Sequence, residues 1–287
     1  MKLVRLTFAL SGAAGLAFAA ETPVAVQPPR DHPLDLAKYE LRLFYENDCS
    51  KPDKIAREED FIERSPDGVW HRKGKPAPDA EWIAEGRGGC EIRDGKLRVA
   101  PSLFDAAGQP MPVEPGRRSH TVVWNRRVFP ADFLLEFNMS PCGSTNGLAI
   151  VLFCAAGKNG EDIFDVSLPP RRADYPAYHS GAMANYTDSY WSRNTETESV
   201  SNRLRKNPGF KEVAAGQSLT TGPTGVTYHL RILKSGAHLE VEVNGRVALQ
   251  WDDPDPPLGA GRIGLRAMAG VTMVAYDHFK VWRVERK

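Results

Sequence analysis

The sequence has almost no net charge. Its 37 lysines and arginines nearly balance its 36 aspartates and glutamates, which leaves a formal charge of +1 at pH 7. A strong positive excess is what draws a protein to nucleic acid or to an anionic membrane surface. The balance therefore argues against a nucleic-acid or membrane-surface partner selected by bulk charge, while local basic clusters stay open to a functional role.

Cysteine is scarce as well, with four residues at positions 49, 90, 142 and 154. None lies in a CxxC or Cys/His spacing typical of zinc. If the strands that carry Cys142 and Cys154 form a simple hairpin, the two are roughly 20 Å apart at ~3.3 Å per residue, beyond the reach of a disulfide. We therefore disfavour that pairing and accept free thiols. No cofactor and no metal ligand is predicted, and a structural calcium ion is left open.

No run of 18 consecutive apolar residues occurs after the N-terminus, so no membrane span is predicted. The N-terminus itself has Lys2 and Arg5, an apolar stretch from Leu6 to Phe18, and a small-x-small pattern at 17–19. These features predict a signal peptide over residues 1–20 and a secreted or periplasmic protein. The proline-rich segment 21–37 then predicts a linker or a surface strap.

Helical periodicity and internal repeats are also lacking, apart from one short helix indicated near 53–63. Alternating apolar and polar residues instead predict about a dozen short strands, with Asp94-Gly95 and Asn244-Gly245 as two-residue hairpin turns. The last strand, 274–284, has a period of two. We expect an all-β, two-sheet antiparallel jelly-roll sandwich in one domain, residues 38–287.

Several ordered motifs resemble those of a known family. They are WNRRVFPADFLLEF (124–137), GLAIVLFCAAGKNGEDIFDVSLPPR (147–171), YHSGAMANYTDSYW (178–191), NRLRKNPGF (202–210) and GRIGLRAM (261–268). Together they are similar to the YesU-like family of uncharacterised bacterial proteins in the concanavalin A-like lectin/glucanase superfamily. The resemblance implies a jelly roll with a concave face and a role in carbohydrate degradation. It carries over no catalytic residues.

The acidic segment GEDIFD (160–165) invites comparison with glucanases, which carry catalytic carboxylates on one strand as E-x-D-x-x-E. Here the order is Glu161, Asp162 and Asp165, which does not match. In a regular strand Glu161 and Asp165 lie roughly 13 Å apart, too far for the ~5–9.5 Å that glycosidases need. Glu161 and Asp162 remain candidate catalytic residues, and the alternative is carboxylates that bind loop amides.

The run YHSGAMANYTDSYWSRN (178–194) is too polar for an ordinary core strand and unusually aromatic. Alternation places Tyr186, Asp188 and Tyr190 on one face. Tyrosine and tryptophan offer large contact areas with few torsions to freeze. We interpret the run as the wall of a sugar groove, and the alternative is that its rings fill the core with satisfied hydroxyls.

The basic segment SNRLRKNPGF (201–210) follows closely and suits an anion site, because arginine matches the geometry of a carboxylate. The alternative is a solvated loop. A lyase that acts on uronate would need a base, an acid and a cation for the carboxylate. The candidates are catalytic His179, Tyr190, Glu161 and Asp162, and substrate-binding Trp124, Tyr186, Trp191, Arg193, Asn202, Arg205, Lys206 and Asn207.

We therefore predict an exported carbohydrate-active enzyme, a polysaccharide lyase or glycoside hydrolase, that acts on a plant or algal poly- or oligosaccharide. Uronate units would explain the basic segment. The alternative is a non-catalytic, lectin-like carbohydrate-binding protein. An enzyme requires a titratable pair that converges near arginine, whereas a binding protein needs only a shallow aromatic platform.

Overall fold

The computed structural model describes residues 24–112, 120–143, 147–194, 199–268 and 273–287, with backbone only for 192–194 and 199–201. The described strands are β1 Val26–Gln27, β2 Tyr39–Asn47, β3 Ile55–Arg57, β4 Ile62–Arg64, β5 Trp70–Arg72, β6 Trp82–Glu85, β7 Gly89–Arg93, β8 Lys96–Ala100, β9 Thr121–Asn125, β10 Phe133–Cys142, β11 Gly147–Gly157, β12 Met183–Asn194, β13 Ser199–Asn207, β14 Lys211–Gln217, β15 Tyr228–Ser235, β16 His238–Val243, β17 Arg246–Asp252, β18 Arg262–Ala267 and β19 Met273–Arg286. One short helix, α1, spans Tyr175–His179, and 3-10 turns span Leu36–Lys38 and Glu58–Phe61.

Two large sheets form the sandwich. The front sheet has the order β1-β14-β13-β12-β11-β18-β9-β6-β3, and the back sheet has the order β17-β16-β15-β10-β19-β8-β7, with β2 also paired to β19. All pairs in these sheets are antiparallel except β1 with β14 and β3 with β6. Chain-distant strands are neighbours, such as β18 between β11 and β9. The predicted jelly-roll sandwich is confirmed.

The main core lies between the two sheets. Its alternating inward residues include Val151, Leu204 and Leu265 from the front sheet and Phe137 and Val281 from the back sheet. All five are almost fully buried. This burial is the main favourable term for the fold, at roughly 1.5–3 kcal/mol for each large apolar side chain. The four cysteines are all free, as their spacing allowed.

A second cluster covers part of the outer face of the front sheet. Val122, Trp124 and Leu152 point outward from β9 and β11, and Phe164 and Tyr178 pack onto them from the segment between β11 and β12. We call residues 158–182 the covering loop. It includes α1 and covers part of the outer face.

The N-terminal residues 24–37 lie on the protein as a surface strap. β1 pairs with β14, and Arg30 bridges to Val247. Leu34 is buried in a third cluster with Leu134, Leu233 and Val284, on the outer face of the back sheet. Within the described ranges, no helix is long and apolar enough to cross a membrane.

Candidate functional site

A buried charge network fixes the covering loop to the front sheet. The Glu85 carboxylate, on β6, accepts hydrogen bonds from Trp124 Nε1 at 2.9 Å, Tyr178 Oη at 2.6 Å and the Arg171 guanidinium. Glu58 accepts the backbone N–H groups of Arg171 at 3.1 Å and Arg172 at 2.8 Å. The loop backbone and its arginine are therefore held by two carboxylates from a distant part of the chain.

The two carboxylates of this network differ in their protonation. Burial raises the pKa of Glu58 to about 7, and the neighbouring Glu85 adds to the rise. Burial also opposes ionisation of Glu85, but Arg171 and Arg72 outweigh it and hold the pKa of Glu85 below its ordinary value. Glu85 is therefore the charged partner of Arg171. Both carboxylates are almost fully buried, and their bonds hold the covering loop against the front sheet.

Beside the network lies a cluster of contacting side chains that we call the basic–aromatic cleft, formed by Tyr175, His179, Arg205, Phe210 and Arg266. The rings of Tyr175, His179 and Phe210 contact one another, with centroids 4.4–5.7 Å apart. The Arg205 guanidinium lies 4.6 Å from the Phe210 ring. Phe210 keeps 37% of its surface exposed, so an apolar face remains open to a ligand.

Local structure explains why these residues meet. Arg205 points outward from β13 because its neighbour Leu204 points into the core. The backbone N–H of Gly209 donates to the carbonyl of His179 at 2.7 Å, which ties the turn after β13 to the end of α1. Asn185 Nδ2 also donates to the carbonyl of Tyr178 at 2.9 Å. The short helix is therefore fixed over β12 and β13.

Arg266 forms the floor of the cleft. It points outward from β18, between the inward Leu265 and Ala267, and its guanidinium lies 4.8 Å from the rings of both Tyr175 and Tyr178. Only 2% of Arg266 is exposed, and its Nε and Nη2 have no hydrogen-bond partner among the described residues. A buried cation without a partner is costly, so such groups are normally paired.

His179 is the titratable group of the cleft. Desolvation, and then the positive charges of Arg266 and Arg205, lower its pKa. Its Nδ1 shares a hydrogen bond with Ser180 Oγ at 2.6 Å, and Nε2 bonds to none of the described residues. Burial raises the pKa of Tyr175. At neutral pH the cleft therefore holds a neutral imidazole that can accept a proton and a phenol that can donate one.

Glu212 is the carboxylate that contacts the cations of this surface directly. Its Oε2 lies 2.8 Å from Arg205 Nη2 and 3.2 Å from Arg203 Nη1. Glu212 compensates Arg205 in part, whereas Arg266 has no such carboxylate within ion-pair distance in the described part of the chain. Glu85 and Asp174 act on Arg266 only at longer range, so the positive charge at the floor of the cleft is balanced only in part.

Comparison with known proteins places the chain in a family. A family described as a domain of unknown function (DUF1961) matches residues 74–281. The chain belongs to the DUF1961 family. It is 31% identical over 215 residues to the uncharacterized protein YesU of Bacillus subtilis (strain 168), which is 72% of this chain and 91% of YesU. The predicted membership of a YesU-like family is confirmed.

Solved structures confirm the fold of this DUF1961 protein. A protein of unknown function with a galectin-like fold from Bacillus subtilis superposes with a TM-score of 0.66 at 27% identity, covering 87% of this chain and 100% of that chain. SCLam, a non-specific endo-beta-1,3(4)-glucanase of family GH16, gives a TM-score of 0.51 at 10% identity, covering 91% of this chain and 97% of that chain. The second similarity is one of fold alone.

The aromatic run of the DUF1961 chain does not line a groove as the sequence suggested. Tyr186, Asp188 and Tyr190 do share a face of β12, but it faces the core and all three are fully buried. Tyr190 Oη lies 2.7 Å from Tyr276 Oη, and Tyr186 bonds Asp253. Trp191 also belongs to the core, because β12 has an irregular register there. These aromatic side chains are core residues with polar tips. The burial of Tyr190 argues against the catalytic role that the sequence suggested for it.

The other predicted binding residues mostly have structural partners. Asn202 is buried in the front sheet, and Asn207 donates to Asn185 at 3.1 Å. Lys206 forms an ion pair with Asp253 at 2.8 Å. Trp124 is covered by Tyr178, which stacks on it at 6.4 Å. These four are corrected to positioning or packing roles. The side chain of Arg193 lies outside the described residues.

The segment GEDIFD is a turn of the covering loop and not a strand. Glu161 is solvated and accepts from Asn159 N at 2.9 Å and Nδ2 at 2.8 Å, so it binds loop amides. Asp162 forms a double hydrogen bond with Arg262, at 2.9 and 2.6 Å. Burial opposes ionisation of Asp162, but Arg262 holds its pKa below the ordinary value. Neither carboxylate lies in the basic–aromatic cleft.

Of the cleft residues, the sequence indicated His179 and Arg205 as candidates but not Tyr175, Phe210 and Arg266. A signal for Arg266 existed, since GRIGLRAM alternates arginine with apolar residues and so predicts an outward guanidinium in a central strand. In the described residues, no three His, Cys, Asp or Glu side chains are grouped to hold a metal ion.

Proposed function

We propose that this protein is a carbohydrate-active enzyme that cleaves a uronate-containing poly- or oligosaccharide by β-elimination in the basic–aromatic cleft. The observation that carries the proposal is Arg266, a buried guanidinium whose Nε and Nη2 lack partners, at the floor of the cleft. The carboxylate of a uronic acid supplies the missing negative charge and matches the planar fork of arginine. Arg205 would contact the same group from the side.

The reaction follows from the groups present. With its carboxylate bound by arginine, the uronate has a more acidic C5 proton. His179 Nε2 takes this proton, the C5–H electrons form the C4=C5 double bond, and the C4–O bond breaks. The leaving oxygen takes a proton from the Tyr175 hydroxyl, which lies on the neighbouring turn of α1. The exposed ring of Phe210 offers a surface for the apolar face of a sugar.

Elimination suits this cleft better than hydrolysis. A glycoside hydrolase of the common type uses two carboxyl groups roughly 5–9.5 Å apart. The carboxylate that touches the cleft, Glu212, is bound to Arg203 and Arg205, and Glu161 and Asp162 lie elsewhere. The cleft thus favours chemistry driven by a base and a cation.

The test is incubation with a panel of uronate polysaccharides and neutral glucans, followed by the ultraviolet absorbance of unsaturated uronate. We expect product from a uronate polymer, and a loss on the order of 10²–10⁴ in turnover for His179→Ala and Tyr175→Phe. His238→Ala, which changes a partly exposed histidine of β16 outside the cleft, is the matched control. Binding without any unsaturated product would reject the lyase mechanism.

A second candidate is a lectin-like protein that binds acidic sugar without cleavage. The observation that favours it is the open Phe210 ring beside Arg205, which is sufficient for binding on its own. If this candidate is correct, Arg266→Met and Phe210→Ala abolish glycan binding, and the wild-type protein never generates unsaturated or reducing ends.

Export is part of the proposal, because polysaccharides are degraded outside the cytoplasm. The basic and apolar N-terminus supports removal of residues 1–20. Mass spectrometry of the protein from its native host should find a mature chain that begins near residue 21. A structural calcium ion is tested separately, by whether EDTA lowers the thermal midpoint.

A further inference from the structure

A second recess lies at the end of the outer face of the front sheet. It has a volume of about 340 Å³, within the range of roughly 300–1,000 Å³ typical of small-molecule sites. Its walls are the 75–78 segment, the 126–128 turn after β9, and Asp162 and Phe164 of the covering loop, and Arg262 of β18 contributes. We call it the arginine pocket.

The arginine pocket has an excess of positive charge. Lys75, Arg126, Arg127 and Arg262 line it, against one carboxylate, Asp162. Asp162 is already neutralised by Arg262, and the backbone N–H of Phe164 donates to it at 2.9 Å. Arg126 and Arg127 form long ion pairs with Glu81, with Nε atoms 3.7 and 3.9 Å from its carboxylate, and Arg126 also donates to the Pro78 carbonyl.

Lys75 makes no ion pair or hydrogen bond within the described ranges, and Asp162 and Asp165 sense its charge only at longer range. Lys75 and Arg127 are both exposed. Lys75 can therefore turn toward an anion without breaking a contact, whereas Arg127 would give up a long ion pair with Glu81 and its contact with the Tyr45 ring.

Apolar groups form the remaining walls of the pocket. Phe44 and Val128 are 38% and 48% exposed, and Phe164 lies behind them. Cations at the rim and exposed apolar carbon in the walls suit a small ring that has an apolar face and a carboxylate. A uronic acid unit has both.

The pocket and the basic–aromatic cleft lie on the same face but are separate. Arg262 and Arg266 both point outward from β18, four residues and hence about 13 Å apart. Gly264 between them abuts the Trp124 ring, and Tyr178 covers that ring. The covering loop therefore closes the direct path, and a ligand reaches the two recesses over its surface.

We infer that the arginine pocket is a second binding site for an acidic sugar unit, placed so that one acidic oligosaccharide engages the pocket and the cleft together. The inference rests on the proposed function for the second contact, but the pocket's own binding of uronate does not need the cleft. Two linked contacts raise the overall affinity through effective concentration, so long chains should bind more tightly than short ones.

The experiment titrates the full mature chain with galacturonate and with oligogalacturonides of increasing length, by calorimetry. The pocket variant is Lys75→Glu with Arg127→Glu, and Lys75→Glu alone is a second variant, because Arg127 also stacks on Tyr45. The matched control is Lys54→Glu with Arg246→Glu, two exposed cations whose partners are Asp79 and Asp31. Circular dichroism checks that every variant folds.

We expect the pocket variants to lower the affinity for long oligomers by about tenfold or more, with no change for the shortest oligomer that binds the cleft. The control should match the wild-type protein. Equal affinities of the wild-type and pocket variants at every length would overturn the inference.

The cleft variant Arg266→Met distinguishes the two proposals. If it leaves turnover and short-chain binding unchanged while the pocket variants still weaken long chains, the proposed function fails and the pocket stands. If turnover depends on Arg266 but the pocket variants bind oligomers of every length as tightly as the wild-type protein does, the pocket fails. If no acidic sugar binds at all, both fail.

Discussion

At the residue scale, the structure separates two tyrosines that the sequence cannot distinguish. Tyr190 is fully buried and bonds Tyr276, whereas Tyr175 is half-buried in the cleft. We expect Tyr190→Phe to lower the free energy of unfolding by about 1–3 kcal/mol, because the Tyr276 hydroxyl loses its buried partner. Turnover and glycan binding should stay at wild-type levels.

Tyr175→Phe is the matched comparison and should give the opposite result, with lost turnover and little change in urea unfolding. Denaturant titration and the ultraviolet assay measure both quantities on the same samples. A Tyr190→Phe protein that is as stable as wild type but inactive would return Tyr190 to the mechanism.

The buried carboxyl of Asp188, also on β12, should make the stability of the protein depend on pH. Burial raises the pKa of Asp188 well above its ordinary value, against smaller opposing effects of Asn202 and Arg205. Since the folded pKa is above the unfolded value near 4, the folded state binds the extra proton. The contribution of Asp188 to stability is thus full below about pH 4 and is lost as pH rises, by up to about 1.4 kcal/mol per unit.

Asp188→Asn removes this titration. We expect the variant to show a flatter stability–pH profile than wild type and to be more stable at neutral pH, measured by urea unfolding at a series of pH values. The exposed Asp255→Asn is a control that should leave the slope unchanged. A slope that Asp188→Asn does not alter would show that this carboxyl titrates normally.

These residues also show what the sequence could predict. Alternation correctly placed Tyr186, Asp188 and Tyr190 on one face of β12, but the run is mixed aromatic and polar on both faces. Nothing in it indicates which face is the core, and a shift of one residue exchanges the faces. Trp191 joins the core through such an irregularity. The sequence did indicate His179 and Arg205, because they belong to the aromatic run and to the basic segment. The turn after β13 brings these two segments together.

At the element scale, the strands were predictable and the covering loop was not. Two-residue turns such as Asp94-Gly95 and Asn244-Gly245 do connect the predicted hairpins β7–β8 and β16–β17. The covering loop depends on Glu85, which is 86 residues from Arg171 in sequence. A contact of this range leaves no periodic signal, so the division of the outer face into two recesses emerged only with the structure.

The covering loop offers a direct test of that network. We expect Arg171→Ala to lower stability by about 3–5 kcal/mol, because it leaves Glu85 buried with an uncompensated charge. Hydrogen exchange across residues 163–182 should accelerate more than exchange in β15 or β16. The exposed pair Lys54–Asp79 is the control, and Lys54→Ala should cost about 0–1 kcal/mol. If hydrogen exchange accelerated equally across the whole chain, Arg171 would not be a local anchor of the covering loop.

At the scale of the whole molecule, the two candidate sites share the outer face of the front sheet, while the N-terminal strap pairs with the edge of that sheet and also packs on the back sheet. The front sheet presents Arg262 and Arg266 outward from one strand, and the back sheet buries Leu34 under the N-terminal strap. The domain expected over 38–287 therefore has stabilising contacts that begin before residue 38.

The strap yields the last prediction. Leu34 is 5% exposed among Leu134, Leu233 and Val284, and its backbone N–H donates to Glu242 at 2.8 Å. We expect Leu34→Ala to destabilise the protein by about 2–5 kcal/mol through the cavity it leaves. Val26→Ala, at a side chain that is 58% exposed, should change stability by less than about 0.5 kcal/mol. A chain shortened to 38–287 should unfold at lower urea than one that begins at residue 24, and equal midpoints would show that 24–37 is a linker without a structural role.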